Sequence, residues 1–547
     1  MAKKITTPTP PVIERPVFDC DWRNSLDSQD FKDRFPKEIF QDYIVTKRWY
    51  GGKLSTIKNL EIIDFIKLSS EQHNYFGVLI EINYEESFFH NYFITLAFML
   101  EYELDETSNI IGAASFNEGP GYLVDALFIE DFRKLWFELT VGSKPSPNVN
   151  LTLNCEQSIK NEAYVSSKFM GGEQSNTSII YNEKYVMKFF RRIFIGVNPD
   201  YEINKFLTEQ QGFTGTPPYR GSANMAHYKD AITLALMQEL VPNKCDAWTY
   251  FNELLLQAYQ NLERKKVDIS RLPSVPLFTH LPIHKVPHEY IDFVGLEFFM
   301  KVKLIAERTA DLHIAMGSNK TDTHFTSTTF NGDYGVWLKN RLIYQVQNRL
   351  NAIENNVDSL DGEALELANY FLQNKKAIRK YFLDFDWEIL KGERIRIHGD
   401  YHLGQVLVTD NDFIILDFEG EPESTIRDRK IKQPPLKDVA GLFRSFHYAL
   451  FASILNNPDK LSYKQEHLFE AGEKLFTYVV AICMDAYMQR IYSFGELNIG
   501  YKKEQEFILM YHMTEKAVYE LGYELNSRPD WAIIPLKGIA SILKSQI

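Results

Sequence analysis

Residues 398–420 read HGDYHLGQVLVTDNDFIILDFEG and contain two short apolar runs. The runs are Gln405–Val408 and Phe413–Leu416, and the turn-forming residues Thr409–Asp412 lie between them. Polar turn residues between two β-rich runs predict a hairpin. Asp400 precedes this hairpin and Asp417 follows it. The sequence therefore places one carboxylate just outside each predicted strand.

The spacing of these carboxylates is typical of the catalytic loop of a phosphotransferase. In that loop an aspartate takes the proton of the attacking hydroxyl group, an amide five residues later binds a metal ion, and a second aspartate beyond a hairpin binds another. The residues at these positions are Asp400, Gln405 and Asp417. Hard oxygen ligands suit Mg²⁺. The alternative is a hairpin whose aspartates only cap turns.

An upstream lysine and glutamate extend this prediction to a nucleotide. Lys188 lies in the otherwise apolar run KYVMKFF, where a charge needs a partner or a ligand, and a nucleotide phosphate would supply one. Glu202 follows where a helix could return its carboxylate to Lys188, as in the kinase lysine–glutamate pair. Taken alone, the two residues would be read as a strand-edge lysine and a surface glutamate.

Two further segments are predicted to bind nucleotide. The loop 171–178 precedes the Lys188 hairpin and matches neither GxGxxG nor a Walker A loop. Its polar side chains can donate hydrogen bonds to phosphate oxygens, although a simple glycine turn is the alternative; those side chains are Gln174, Ser175, Asn176 and Thr177. The segment 236–242 resembles the link between kinase lobes, which predicts that Gln238, Glu239 and Val241 lie at the adenine edge.

The composition predicts a folded protein, and stretches rich in proline and asparagine divide it into several segments. The 547 residues are 45% hydrophobic and 24% charged, which are globular proportions. The proline-rich residues 1–17 are predicted to be an extended arm, and the β-rich residues 18–145 a separate module. Prolines and asparagines in 143–150 mark a boundary, after which we predict a nucleotide-binding segment (146–243) and a helical segment (244–547).

The charge balance and the cysteines exclude several classes of protein. A net charge of −13 gives no overall attraction to nucleic acid or anionic lipid. The four cysteines form no CxxC pair, so neither a zinc knuckle nor a disulfide framework is indicated. No apolar run is long enough to span a bilayer, and no secretory signal is visible. The sequence predicts a cytoplasmic enzyme without a nucleic-acid or membrane partner.

Five separated motifs together resemble the maltokinase family. They are EQSNTS, HGDYHLGQVL, DFEGEP, PLKDVAGLFRSFHYA and EKAVYELGYELNSRPDW, and they occur in this order from residue 173 to 531. The resemblance implies an α+β, bilobal, protein-kinase-like fold of the aminoglycoside phosphotransferase type with a β-rich N-terminal cap. It also implies ATP and Mg²⁺ as cofactors, maltose as the acceptor, and a place in glycogen and trehalose metabolism beside a trehalose synthase.

The resemblance also assigns residues. It gives Asp400 the role of base and gives metal binding to Gln405 and Asp417, with Glu419 as an auxiliary ligand. It places the sugar contacts on a helix where positions i, i+3 and i+4 share a face; those helix positions are Lys516, Tyr519 and Glu520. His398 of the catalytic loop is predicted as a further sugar contact. Without the resemblance, the lysine and glutamate of this helix would be read as an ordinary solvated pair.

Two other functions remain open from the sequence. Fold does not fix substrate, so the acceptor can instead be glucosamine, another hexose or an aminoglycoside. The mixed charge and the aromatic ring of EKAVYE favour a neutral sugar. A catalytically silent scaffold is the alternative from a different class, although the predicted base, lysine and metal-binding positions are all present.

Overall fold

The structure is a computed structural model, and it describes residues 15–101, 109–146, 148–171, 175–383, 387–422 and 424–544. The chain forms two compact units. The first comprises Met1–Lys205 and Pro218–Val241, and the second comprises Phe206–Pro217 and Pro242–Ile547. Residues 1–14 of the predicted arm lie outside the described residues. The predicted segment boundaries at residues 17, 145 and 243 stay predictions.

An antiparallel sheet forms the first part of the first unit, within the segment that the sequence predicts to be β-rich. Its order is β1-β2-β3-β5-β4, and the short strand β10 (Arg192–Ile193) also pairs with β3. The five strands are β1 (Ile57–Ser69), β2 (Asn74–Tyr84), β3 (Phe89–Leu100), β4 (Ile110–Phe116) and β5 (Gly119–Asp125).

Both faces of this sheet are covered, and β2 shows why the sequence alternation is only partial. Successive side chains of a strand point to opposite faces. Phe76 and Val78 therefore enter one core, with the short helices α1 (Gln29–Phe35) and α2 (Gln41–Ile44) on that side. Leu79 enters the other core. A strand buried on both faces reads as a nearly continuous apolar run.

The second sheet carries the predicted nucleotide residues. Its order is β6-β11-β12-β9-β8-β7. The helix α3 (Glu130–Thr140) buries Phe132 and Trp136 in a core that side chains of both sheets share. The strands are β6 (Leu151–Cys155), β7 (Ser167–Phe169), β8 (Thr177–Tyr181), β9 (Tyr185–Phe189), β11 (Tyr219–His227) and β12 (Asp230–Glu239), and α4 (Pro199–Lys205) follows β10.

The second unit is mostly helical, as the sequence predicts. Its longer helices are α5 (Ala247–Lys265), α6 (His288–Val294), α7 (Leu296–Gly317), α8 (Gly332–Asn356), α9 (Gly362–Leu383), α11 (Leu436–Leu455), α12 (Gln465–Phe494), α13 (Lys502–Ser527) and α14 (Ile533–Lys544). The short helix α10 (Ile426–Arg429) precedes α11. In the part of the chain that the structure describes, no helix combines the length and the apolar character that crossing a bilayer requires.

Short strands interrupt these helices where the sequence predicts a hairpin. Strands β16 (Val406–Val408) and β17 (Phe413–Ile415) pair antiparallel, and β13 (Cys245–Asp246) extends the sheet beside β16. Strands β14 (Thr328–Thr329) and β15 (Glu393–Arg394) form a separate pair. The hairpin places the two predicted catalytic segments, before β16 and after β17, within one unit.

Candidate active site

The loop that carries Asp400 is held by a buried carboxylate of α11. Asp438 is 1% exposed and accepts the backbone N–H groups of His398 at 2.8 Å and Gly399 at 3.0 Å. Gly399 has a φ of +87°, and a Cβ there would lie 3.3 Å from the Cα of Gly420, so glycine suits this position. Asp438 therefore fixes the backbone that positions Asp400.

His398 is also part of this support. It is 1% exposed, and its Nε2 lies 2.8 Å from the carbonyl oxygen of Leu416. Its ring packs against Tyr401 and Phe418. These contacts join the loop to the end of the hairpin. The predicted contact of His398 with a sugar stays a prediction, since His398 is not among the described residues that line the cavity beside Asp400.

Asp400 forms an ion pair with Lys516 of α13. The Nζ atom of Lys516 lies 2.9 Å from Oδ1 of Asp400. Burial raises the pKa of Asp400, but the charge and hydrogen bond of Lys516, together with the nearby His402 and His398, outweigh this effect, so the pKa of Asp400 lies below its usual value. Burial lowers the pKa of Lys516, and the Asp400 carboxylate, together with Glu520 and Glu421, more than offsets that lowering. The pair is ionised at neutral pH, which keeps Asp400 able to accept a proton.

A cavity of about 350 Å³ opens beside this pair. Its size lies at the lower end of the range for small-molecule sites. The lining includes Asp400, Lys516 and Tyr519, so three residues that the sequence predicts for catalysis or sugar binding meet at one site. The remaining lining residues are Arg341, Gln345, Gly399, Tyr401, Glu421, Pro422, Ser424, Lys437, Asp438, Gly441, His512 and Glu515.

A network of opposite charges that the sequence analysis missed lines the far wall. Arg341 of α8 contacts Glu515 at 2.5 Å and Glu421 at 3.2 Å. Lys437 lies 3.2 Å from the other carboxylate oxygen of Glu421. The carboxylate of Glu421 thus bridges two cations while its side chain stays 27% exposed. It can accept a hydrogen bond from a hydroxyl or ammonium group in the cavity.

The three residues of helix α13 that are predicted to contact sugar do not all line the cavity. Lys516 and Tyr519 line the cavity, with the Lys516 Nζ atom 5.6 Å from the centre of the Tyr519 ring. Glu520 instead pairs with Arg444, at 2.5 Å. Arg444 is 1% exposed, and a buried guanidinium needs a charged partner. The predicted contact of Glu520 with sugar stays a prediction.

The predicted metal ligands form a second group at the hairpin. Nε2 of Gln405 donates to Oδ2 of Asp417 at 2.8 Å. Carboxylate oxygens of Asp417 and Glu419 lie within 4.8 Å of one another. This donor set consists of oxygen atoms, which is what Mg²⁺ prefers. The three residues therefore fit a Mg²⁺ ion, and the assignment stays a prediction.

In the first unit, Lys188 contacts a carboxylate that the sequence analysis did not select. Its Nζ atom lies 3.0 Å from Oδ2 of Asp200, whose side chain is 2% exposed. Asp200 lies in the first turn of α4, where Asn198 accepts its backbone N–H at 2.8 Å. A carboxylate beside a proline at the start of a predicted helix is the signal that could have identified it. The pairing of Glu202 with Lys188 stays a prediction.

The polar loop before β8 is tied to the first sheet through one arginine. Arg191 donates from Nε to Thr177 Oγ1 at 2.8 Å and from its backbone N–H to Asn176 Oδ1 at 3.4 Å. Its Nη2 atom contacts Oδ2 of Asp125 at 2.5 Å, and both side chains are almost fully buried. Thr95 donates to the other oxygen of Asp125 at 2.7 Å. The contact with phosphate stays a prediction for these loop residues, for Ser175, and for Gln174, which lies outside the described residues.

The buried Asp125–Arg191 pair gives a prediction about stability. We expect Asp125→Asn to lower the free energy of unfolding by about 3–5 kcal/mol, because it leaves a buried guanidinium without its carboxylate. Urea denaturation measures the change. The control is Asp27→Asn, since Asp27 forms a surface pair with Lys67 at 2.7 Å and its loss should cost less than about 1 kcal/mol. Equal effects of the two substitutions would contradict the prediction.

The predicted adenine-binding residues lie where the chain leaves the first unit. Gln238 and Glu239 are the last residues of β12. The backbone N–H of Glu239 donates to the carbonyl oxygen of Pro218 at 2.9 Å, and its carboxylate contacts Arg220. Val241 is the last residue of the unit. Their contact with adenine stays a prediction.

Comparisons with known proteins define the class of fold. No protein-family model matches the chain. The chain is 23% identical over 153 residues to a glucosamine kinase of Streptacidiphilus jiangxiensis, a match that covers 28% of this chain and 32% of that protein. The match thus spans about a third of the length of this curated relative.

Solved structures give a longer match. A glucosamine kinase in complex with glucosamine, ADP and inorganic phosphate superposes with a TM-score of 0.58 at 15% identity, over 92% of this chain and 99% of that one. Another glucosamine kinase structure, crystal form A, superposes with a TM-score of 0.58 at 14% identity, over 93% of this chain and 98% of that one. The chain has the fold of these kinases. The predicted fold class, an α+β kinase fold with a β-rich N-terminal part, is confirmed.

Proposed function

We propose that this protein is an ATP-dependent sugar kinase. The observation that carries the proposal is the ionised carboxylate of Asp400 at a 350 Å³ cavity, paired with Lys516 at 2.9 Å. Gln405 and Asp417, which supply oxygen atoms at the hairpin, have the sequence spacing of the metal ligands in a phosphotransferase loop. The fold shared with glucosamine kinase structures supports the same class of reaction.

In the proposed reaction, Asp400 orients one hydroxyl group of the sugar and accepts its proton. The hydroxyl oxygen forms a bond to the γ-phosphorus, the bond from that phosphorus to the β–γ bridging oxygen breaks, and ADP leaves with the electron pair. Gln405, Asp417 and Glu419 would hold Mg²⁺, which neutralises negative charge on phosphate oxygens when bound. Lys188 in the first unit would contact a nucleotide phosphate.

Glucosamine is the acceptor that we propose first. The solved kinase with the same fold binds glucosamine, and the relative matched in sequence carries the same name. Glu421 adds support from this chain, since its partly exposed carboxylate lines the cavity and can accept hydrogen bonds from an ammonium group. Tyr519 offers a ring to the apolar face of a hexose.

Maltose is the second candidate acceptor. The observation that favours it is the set of five ordered motifs, including HGDYHLGQVL and EKAVYELGYELNSRPDW, that resembles maltokinases. Its product would be maltose 1-phosphate. Association with a trehalose synthase, and a place in glycogen and trehalose metabolism, belong to this alternative and are proposed only with it.

An acceptor panel distinguishes these possibilities. ADP release from ATP and Mg²⁺ should be measured with glucosamine, maltose, glucose and an aminoglycoside. We expect turnover with glucosamine above that with every other acceptor. Turnover with maltose alone would select the second candidate. Binding of ATP without ADP release on any acceptor would contradict the proposed activity and favour a scaffold.

The Asp400–Lys516 pair predicts a pH dependence. Lys516→Met removes the charge that lowers the pKa of Asp400, so burial then dominates and the pKa rises. The base is active above its pKa and loses activity as the pH falls through it. The acidic limb of the kcat profile should therefore move to higher pH in Lys516→Met and stay in place in Lys516→Arg. An unshifted limb in Lys516→Met would show that Asp400 is not the titrating base.

A further inference from the structure

A second cavity of about 350 Å³ lies in the helical unit, and none of its lining residues lines the cavity beside Asp400. Helices α9, α11, α12 and α14 and the segment before α6 supply its walls. Its lining includes His447, Lys537, Glu363, Glu473, Phe476 and Ser541. The proposed kinase reaction uses none of them.

His447 lines this cavity and has one ring N–H group. It is 1% exposed, and Nη1 of Arg444 lies 3.2 Å from its Nδ1. A guanidinium can only donate, so Nδ1 accepts and the ring proton sits on Nε2. Burial and the Arg444 charge lower the pKa of His447 well below its usual value, so the ring is neutral. Within the described residues, the structure gives Nε2 no hydrogen-bond partner.

The lining carries two carboxylates, Glu363 and Glu473, and two ammonium groups, Lys474 and Lys537, so its charges balance. Nζ of Lys537 lies 2.5 Å from Glu363 and 3.0 Å from Glu473, and the lysine side chain is 8% exposed. The two glutamate side chains are 43% and 42% exposed, so they remain accessible to a ligand. The carboxylates disfavour an anion and the ammonium disfavours a cation. Donors, acceptors and the ring of Phe476 together suit a neutral polyhydroxylated compound.

Arg444 connects this cavity to the helix that carries Lys516. Its Nη2 and Nε atoms contact Oε2 of Glu520 at 2.5 Å and 3.2 Å, while Nη1 contacts His447. A Cβ on Gly538 of α14 would lie 2.0 Å from Nη1 of Arg444, so the α14 backbone packs directly on the guanidinium. Glu520 follows Lys516 by one helical turn.

We propose that this second cavity binds a neutral sugar or polyol, and that its occupancy changes phosphoryl transfer through Arg444, Glu520 and Lys516. The binding step is independent of the proposed activity. The effect on turnover rests on that activity.

Hydrogen–deuterium exchange of the full chain, without ATP, tests the binding step. Glucose, maltose and myo-inositol are the probes. At least one should slow exchange in peptides that cover residues 470–480 and 533–544, whereas peptides that cover residues 399–401 report on the cavity beside Asp400. Ser541→Phe fills the cavity from its exposed rim and should abolish the protection. Absence of protection with all three probes, or protection that persists in Ser541→Phe, would overturn the proposal.

Ser493→Phe is the matched control. Like Ser541, Ser493 is exposed and donates its hydroxyl to the carbonyl oxygen three residues earlier. The distance is 2.7 Å for Ser493 and 2.9 Å for Ser541. It does not line the cavity. This variant should keep the protection.

Turnover then tests the connection to Lys516. A probe that protects the cavity and is not itself phosphorylated should change the KM for the acceptor in the wild-type protein and not in Ser541→Phe. An unchanged KM in the wild-type protein would overturn the connection. Because exchange is measured without ATP, failure of the binding step can be told apart from failure of the proposed kinase activity.

Discussion

Replacement of Asp400 by asparagine is expected to lower kcat by about 10²- to 10⁴-fold, the range attributed to a positioned general base. The substitution preserves side-chain size and removes the group that accepts the proton of the sugar hydroxyl. ADP release with glucosamine, ATP and Mg²⁺ measures the loss. The KM for ATP should change much less than kcat, because the carboxylate acts on the acceptor and not on the nucleotide.

Asp410→Asn is the matched control for this experiment. Asp410 belongs to the turn of the same hairpin, and its side chain is 87% exposed in a surface pair with Lys244. An exposed pair of this kind contributes little, so kcat should stay near the wild-type value. Near-normal turnover of Asp400→Asn would contradict the assignment of the base.

The second large effect is expected from Asp417→Asn. Asp417 has a φ of +64°, a conformation that asparagine tolerates as aspartate does, so the backbone should be preserved. The substitution removes one negative charge from the proposed Mg²⁺ ligands. We expect a loss of at least about 10- to 100-fold in metal affinity, by analogy with changes around other metal centres.

Binding of Mn²⁺ measured by electron paramagnetic resonance gives a readout that does not depend on turnover. Mn²⁺ accepts the same oxygen ligands as Mg²⁺. Asp417→Asn should weaken Mn²⁺ binding in the presence of ADP, while Asp410→Asn should leave it unchanged. Equal Mn²⁺ affinity in wild type and Asp417→Asn would remove Asp417 from the metal site.

The local parts of this account could be predicted from the sequence. The hairpin and its flanking residues Asp400 and Asp417 follow from short-range signals, because turn residues and apolar runs act over a few positions. The ion pair between Lys516 and Asp400 joins residues that are 116 positions apart in the sequence, so it depends on tertiary packing. The family resemblance placed Lys516 in the sugar site, but no spacing rule indicated that its ammonium contacts the base.

Charge pairs between distant segments account for most of what the sequence did not reveal. Asp438 lies in an apolar helix run, and only the structure shows it accepting backbone N–H groups of the catalytic loop. Glu520 lies on the same helix as Lys516, yet its carboxylate forms an ion pair with the buried Arg444. Helical spacing predicts which residues share a face of a helix. It does not predict which residue of another helix forms an ion pair with that face.

The most direct test of the central claim is ³¹P nuclear magnetic resonance of purified protein with ATP, Mg²⁺ and glucosamine. We predict that the γ-phosphate signal of ATP is replaced by the signals of ADP and one sugar phosphate monoester, and that Asp400→Asn slows this conversion by about 10²- to 10⁴-fold. ATP that stays intact with glucosamine, maltose and glucose alike, or that yields only inorganic phosphate, would contradict the claim that this protein is a sugar kinase.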